Sequence, residues 1–141
     1  MGRTYVRTSA LLLLLAAVTA WPVVATPRAQ AAACVTVVVR GGHRCVAAGG
    51  NGITVLKRAG HTVRYAPSFP GFVCQIDGYP TRCTNPTANY WGYFHAQPGK
   101  AWTYSSVGAT SRTPAAGTCE GWRFEYGGAT TPPRYRCPAA S

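Results

Sequence analysis

YWGYFHAQPGKAWTYSS, residues 90–106, holds six of the sixteen Phe, Trp and Tyr residues of the chain. Rings at that density suit a pleated, half-buried surface, and Tyr90 to His95 reads as a strand. Gln97-Pro98-Gly99-Lys100 is a turn, and Ala101 to Ser105 is the expected returning partner. Alternation along the first arm sends Tyr90, Gly92 and Phe94 to one face and Trp91, Tyr93 and His95 to the other. One set must pack against the rest of the fold. The other is left, with Trp102 and Tyr104, to form an aromatic platform, and the pattern does not say which set that is.

Further strands lie outward from this hairpin. Cys34-Val35-Thr36-Val37-Val38-Val39 is β-branched almost throughout and reads as a strand buried on both faces, stopped by Arg40-Gly41-Gly42-His43. Ala48 to Gly52 is a loop. Ile53 to Ala59 then makes a short helix with Ile53, Leu56 and Ala59 on its apolar face and Gly60 as its C-terminal cap. His61 to Ala66 alternates as a half-buried strand does, Pro67 to Gly71 is a turn cluster, and Phe72 to Ile76 is a strand entering the hairpin signal Asp77-Gly78. Gly121 to Tyr126 is the last strand. The Pro-rich tail, residues 129–141, follows, tied down through Cys137. Strands around one short helix predict a small α+β domain over residues 34–128, with a mixed sheet.

Residues 1–33 have the layout of a secretory signal peptide: Arg3 and Arg7, an apolar run through Leu11 to Leu15, and small residues at Ala31 to Ala33. Pro22 breaks the run short of a membrane span, so no membrane-spanning segment is expected after cleavage. All six cysteines follow the leader: Cys34, Cys45, Cys74, Cys83, Cys119 and Cys137. An even count behind an export signal reads as three disulfides in an oxidising compartment, and Cys74 and Cys83 flank the Asp77-Gly78 turn closely enough to bridge. The expected location is extracellular, including association with the cell wall. Without Arg3, Arg7 and Arg28, eleven basic residues face three acidic ones, a net charge of +8. The basic residues are scattered singly, with Lys57-Arg58 the one adjacent pair and no helix-long stripe. That argues against nucleic acid and for affinity to an anionic envelope.

Three acidic residues are a thin supply for catalysis. Asp77 sits in a turn, and Glu120 and Glu125 lie on opposite faces of one strand, so no acid/base pair forms. No metal pair of histidines and no nucleophile elbow occurs, so no catalytic or metal-binding residue and no intrinsic cofactor is expected. His95 could coordinate a metal centre carried in by a ligand; its plainer reading is a loop histidine bonded to backbone.

Thr54-Val55-Leu56, Gly71-Phe72, Ile76-Asp77-Gly78, Tyr90-Trp91 and Trp122 follow one another in an order that resembles the transcobalamin C-terminal-like domain family. The resemblance runs along essentially the whole chain after the leader. It implies a β-grasp-like sheet with the first and last strands parallel at its centre. It also implies a Cys34–Cys119 bridge with Cys45–Cys137; Cys34–Cys45 with Cys119–Cys137 is the local alternative. The implied function is an exported, non-enzymatic binding module for cobalamin, another corrinoid or another small metabolite feeding an importer. Trp91, Tyr93, His95, Trp102 and Tyr104 are the candidate ligand-binding residues. The competing reading is a structural or interaction domain that docks a protein partner or the anionic envelope through basic and aromatic side chains.

Overall fold

In the computed structural model, Met1 and residues 34–139 are described; the expected leader lies outside the described residues. The β-branched run forms β1 (Cys34–Val39), buried along its whole length. Arg40 and Gly41 then take positive φ values of 50° and 90°. This two-residue reversal of left-handed backbone is the kind that folds a strand straight back, and it produces β2 (Gly42–Ala47), antiparallel to β1. The expectation that the chain merely stops at Arg40–His43 is corrected. β2 is an exposed edge strand without apolar alternation, so nothing but the turn signals it.

Asn51 caps α1 (Gly52–Arg58), its Oδ1 accepting from the Thr54 N–H at 2.9 Å, and Gly60 leaves the helix at φ 94°. β3 (Val63–Ala66) and β4 (Phe69–Ile76) make a separate two-stranded sheet. Asp77-Gly78 does turn the chain, but pairing ends after Ile76 and Tyr79. β5 (Tyr90–Ala96), β6 (Thr103–Tyr104) and β7 (Cys119–Glu125) complete the main sheet, whose order is β2-β1-β7-β5-β6. β1 and β7 are parallel neighbours at its centre and the other pairs are antiparallel. This is a small β-grasp-like α+β arrangement.

Both faces of the sheet are covered. On one, Val35, Val37 and Val39 of β1 with Trp91, Tyr93 and Trp122 pack against Ile53, Val55, Leu56 and Ala59 of α1 and against Val73 and Ile76 of β4. On the other lies the tail. Trp102 Nε1–H donates to the Tyr135 carbonyl at 2.6 Å, Gly99 N–H to that of Pro138 at 2.9 Å, and His43 stacks on Tyr135 at 4.2 Å. A Cβ on Gly121 would fall 2.7 Å from Pro133 Cγ and 2.8 Å from Trp102 Cζ3, so the tail seats only over a bare backbone there. Residues 129–139 are thus a packed layer.

The disulfides are Cys34–Cys45, Cys74–Cys83 and Cys119–Cys137, with Cα separations of 5.6, 5.2 and 5.8 Å. Cys74–Cys83 is as expected. Cys34–Cys119 with Cys45–Cys137 is corrected to the local alternative. β2 sets Cys45 opposite Thr36, one diagonal step from Cys34. The returning tail carries Cys137 to Cys119 beside Ala96.

Candidate functional site

β6 is too short to cover the outer edge of β5. It pairs with Phe94 and His95, and the Ser105 N–H reaches the Tyr93 carbonyl at 2.9 Å. The chain then leaves the edge in a loop, residues 105–111, held by Ser105 Oγ on the Val107 carbonyl (2.8 Å) and Asn51 Nδ2 on the Thr110 carbonyl (3.1 Å). Between this loop, the middle of β4 and the free edge of β5 lies a cavity of ≈ 470 Å³. Six rings line it: Phe72, Tyr90, Trp91, Tyr93, Tyr104 and Trp122. Tyr93 and Trp122 face each other at 4.7 Å, and Phe72 meets Tyr90 edge-on at 6.3 Å. Glycine, valine, alanine and serine complete the lining, and it carries no charged side chain.

The polar groups at this site are few. Burial, then a hydrogen bond with the Tyr90 hydroxyl, pushes the Tyr104 hydroxyl up to about 12, so it stays a neutral donor. Trp122 is buried, and its Nε1–H is the one buried side-chain polar atom without a hydrogen-bond partner among the described residues. Unmet buried donors are uncommon and call for a physical account.

Beneath the rings lies a closed polar network. Tyr93 Oη–H donates to Glu120, whose other oxygen accepts from Arg112 Nε at 3.2 Å. Glu120 is fully buried. Desolvation pushes its carboxyl above the ordinary range, and the Tyr93 and Arg112 contacts pull the other way. Tyr93 is displaced upward as well, by burial and then by the Glu120 charge. The Gly52 end of α1 sits against this network: a Cβ there would lie 2.6 Å from Tyr93 Oη. Glu125, on the opposite face of β7, accepts from the Thr131 N–H at 3.1 Å. The remaining acid, Asp77, is raised by burial, but the hydrogen bonds from His61 and Thr62 outweigh that and hold it below the usual carboxylate range.

The five candidate ligand residues do not form one platform. Trp91, Tyr93 and Tyr104 meet at the cavity, where the first two are core rings seen from the strand edge. His95, half-buried and kept below its ordinary pKa by burial and the nearby Arg112 charge, is not part of the lining. Trp102 lies on the far face, under the tail. Strand alternation separated the two sets of rings correctly, but both faces turned out to be covered and only the strand edge was open. Phe72, Tyr90 and Trp122 were not among the candidate ligand residues, although Gly71-Phe72, Tyr90-Trp91 and Trp122 stand out as motif residues. Among the described residues, no cluster of His, Cys, Asp or Glu could hold a metal ion.

A family model described as the SCO2322-like domain matches residues 84–139, a segment that takes in β5, β6, β7 and the packed tail. No curated protein and no solved structure matches the chain.

Proposed function

We propose that this protein is an exported, non-enzymatic binding module whose ligand is a small, flat, uncharged molecule. The observation that carries this reading is the ≈ 470 Å³ cavity walled by six aromatic rings and no charge. It lies within the ~300–1,000 Å³ range of small-ligand sites, and flat rings gain from offset or edge-on contact with such walls. Trp122 borders the cavity, so its indole signal reports on whether the cavity is occupied. Cobalamin is a ligand to test beside smaller heterocycles.

A binding role is also supported by the acids. Asp77, Glu120 and Glu125 are each engaged in separate contacts rather than gathered at the cavity. Three disulfides fit an oxidising compartment, and no helix among the described residues is long and apolar enough to cross a membrane. Delivery to an importer is part of the same proposal.

The test is an NMR titration of the protein with caffeine, benzimidazole and cobalamin, following the indole Nε1–H signals. Val107 lines the cavity and is half exposed, so Val107→Trp fills the space without touching the core. Saturable movement of the Trp122 signal, lost in Val107→Trp, is the expected result. No movement with any of the three compounds, or movement that Val107→Trp leaves intact, overturns the reading.

A further inference from the structure

Arg40, Arg123 and Arg134 are far apart in sequence, yet they border one hollow of ≈ 350 Å³ together with Gly41 and Trp122. Their convergence follows from the fold. Arg40 opens the β1–β2 turn, at the point where β1 pairs last with β7 through Val39 and Trp122. Arg123 follows Trp122 on β7. Arg134 is carried over the sheet by the tail, which the Cys119–Cys137 bridge and the His43–Tyr135 stack hold in place.

Among the described residues, no acidic side chain lines the hollow with these three charges. The chain has only three carboxylate side chains. Asp77 is bound to His61 and Thr62, Glu120 to Tyr93 and Arg112, and Glu125 to the Thr131 N–H, and none of them lines the hollow. Arg123 Nη1 gives one hydrogen bond to the Pro132 carbonyl at 3.1 Å, and the Arg40 guanidinium lies 4.6 Å above the Tyr79 ring. Both contacts orient a guanidinium without neutralising it. Like charges gathered in a concave site raise the local potential and draw in anions. A carboxylate is planar and is satisfied by a single arginine fork, whereas a hollow bordered by three arginines from different elements offers donors enough for the several acceptor oxygens of a tetrahedral oxyanion.

We propose that this hollow is a phosphate-binding site, distinct from the aromatic cavity although Trp122 borders both. The phosphate is either free or a phosphodiester unit of an anionic polymer, and the test separates the two.

The protein is titrated at low ionic strength with inorganic phosphate and, separately, with poly(glycerol phosphate), by calorimetry. The variants are Arg40→Gln/Arg123→Gln/Arg134→Gln and a control of equal charge loss on exposed positions elsewhere, Lys57→Gln/Arg64→Gln/Arg82→Gln. Urea midpoints check folding. Should Arg123→Gln disturb the Pro132 contact, the double variant Arg40→Gln/Arg134→Gln carries the test, since both residues are exposed. Charge-assisted hydrogen bonds of this kind predict at least about a tenfold rise in Kd for the pocket variant and little change for the control. Binding of inorganic phosphate with that pattern assigns a site for the free ion. The same pattern with the polymer alone assigns the phosphodiester. Absence of binding to either probe, or equal weakening in pocket and control variants, overturns the proposal.

Discussion

Removing one oxygen atom from Tyr93 tests the buried network under the cavity. In Tyr93→Phe, Glu120 keeps Arg112 but loses the donor on its second oxygen, and no water can reach a carboxylate that is fully buried. A hydrogen bond to a charged group is worth about 1.5–3 kcal/mol, and leaving its buried acceptor unmet costs a similar amount. The expected loss near pH 7.5 is therefore about 2 kcal/mol, a fall of roughly 1–2 M in the urea midpoint for a domain of this size. The pH dependence follows from Glu120. Burial holds its folded pKa above the ordinary glutamate value of 4.5, so the folded state keeps this proton to higher pH than the unfolded chain does. Stability from this group is complete below about 4.5 and is lost as pH rises through the folded value. Taking away the Tyr93 donor disfavours the carboxylate further and moves the folded value higher. The penalty of Tyr93→Phe should then shrink between pH 7.5 and pH 5, read from urea curves of both proteins at each pH. A penalty that is the same at both pH values, or one under about 0.5 kcal/mol, refutes the reasoning.

Cys119→Ala/Cys137→Ala opens a link between residues 18 apart in sequence; chain entropy puts the loss at about 3 kcal/mol, and limited proteolysis should cut first in the tail. Gly121→Ala drives a methyl into Pro133 and Trp102 and should cost about 1–3 kcal/mol by overpacking, measured as a lowered urea midpoint with the β-sheet circular dichroism retained. Asp77 works in the opposite sense to Glu120. Its folded pKa is lowered, so its contribution is present above the ordinary carboxylate range and fades as pH falls through the folded value. Asp77→Asn should therefore destabilise the protein slightly at pH 7 and leave it unchanged near pH 2, checked by thermal melts across that range.

Periodicity made most of the sheet legible. The β-branched run at Cys34–Val39, the aromatic alternation of Tyr90–His95 and the apolar spacing of Ile53, Leu56 and Ala59 each declare their element. β2 was hidden because an exposed edge strand needs no apolar pattern; its mark is the Arg40-Gly41 turn, which also places Cys45 beside Cys34. The tail was hidden for a related reason. Prolines, one disulfide and single polar contacts bind it to the sheet, so it looks like a trailing segment although it packs over Gly121 and Trp102. That cover is why Trp102 is not part of an open platform: its Nε1–H is spent on the Tyr135 carbonyl. The cavity lies at a strand edge, where β4, β5 and the 105–111 loop meet through contacts too distant in sequence for any local pattern to carry. Arg40, Arg123 and Arg134 looked like scattered charges for the same reason.

The most direct measurement of the central claim is the Trp122 Nε1–H resonance during titration with a flat neutral heterocycle. Saturable movement that disappears in Val107→Trp, with the Trp102 signal under the tail unmoved, is what an aromatic ligand cavity predicts. A Trp122 signal that stays still while ligand binds elsewhere, or that moves equally in Val107→Trp, contradicts it.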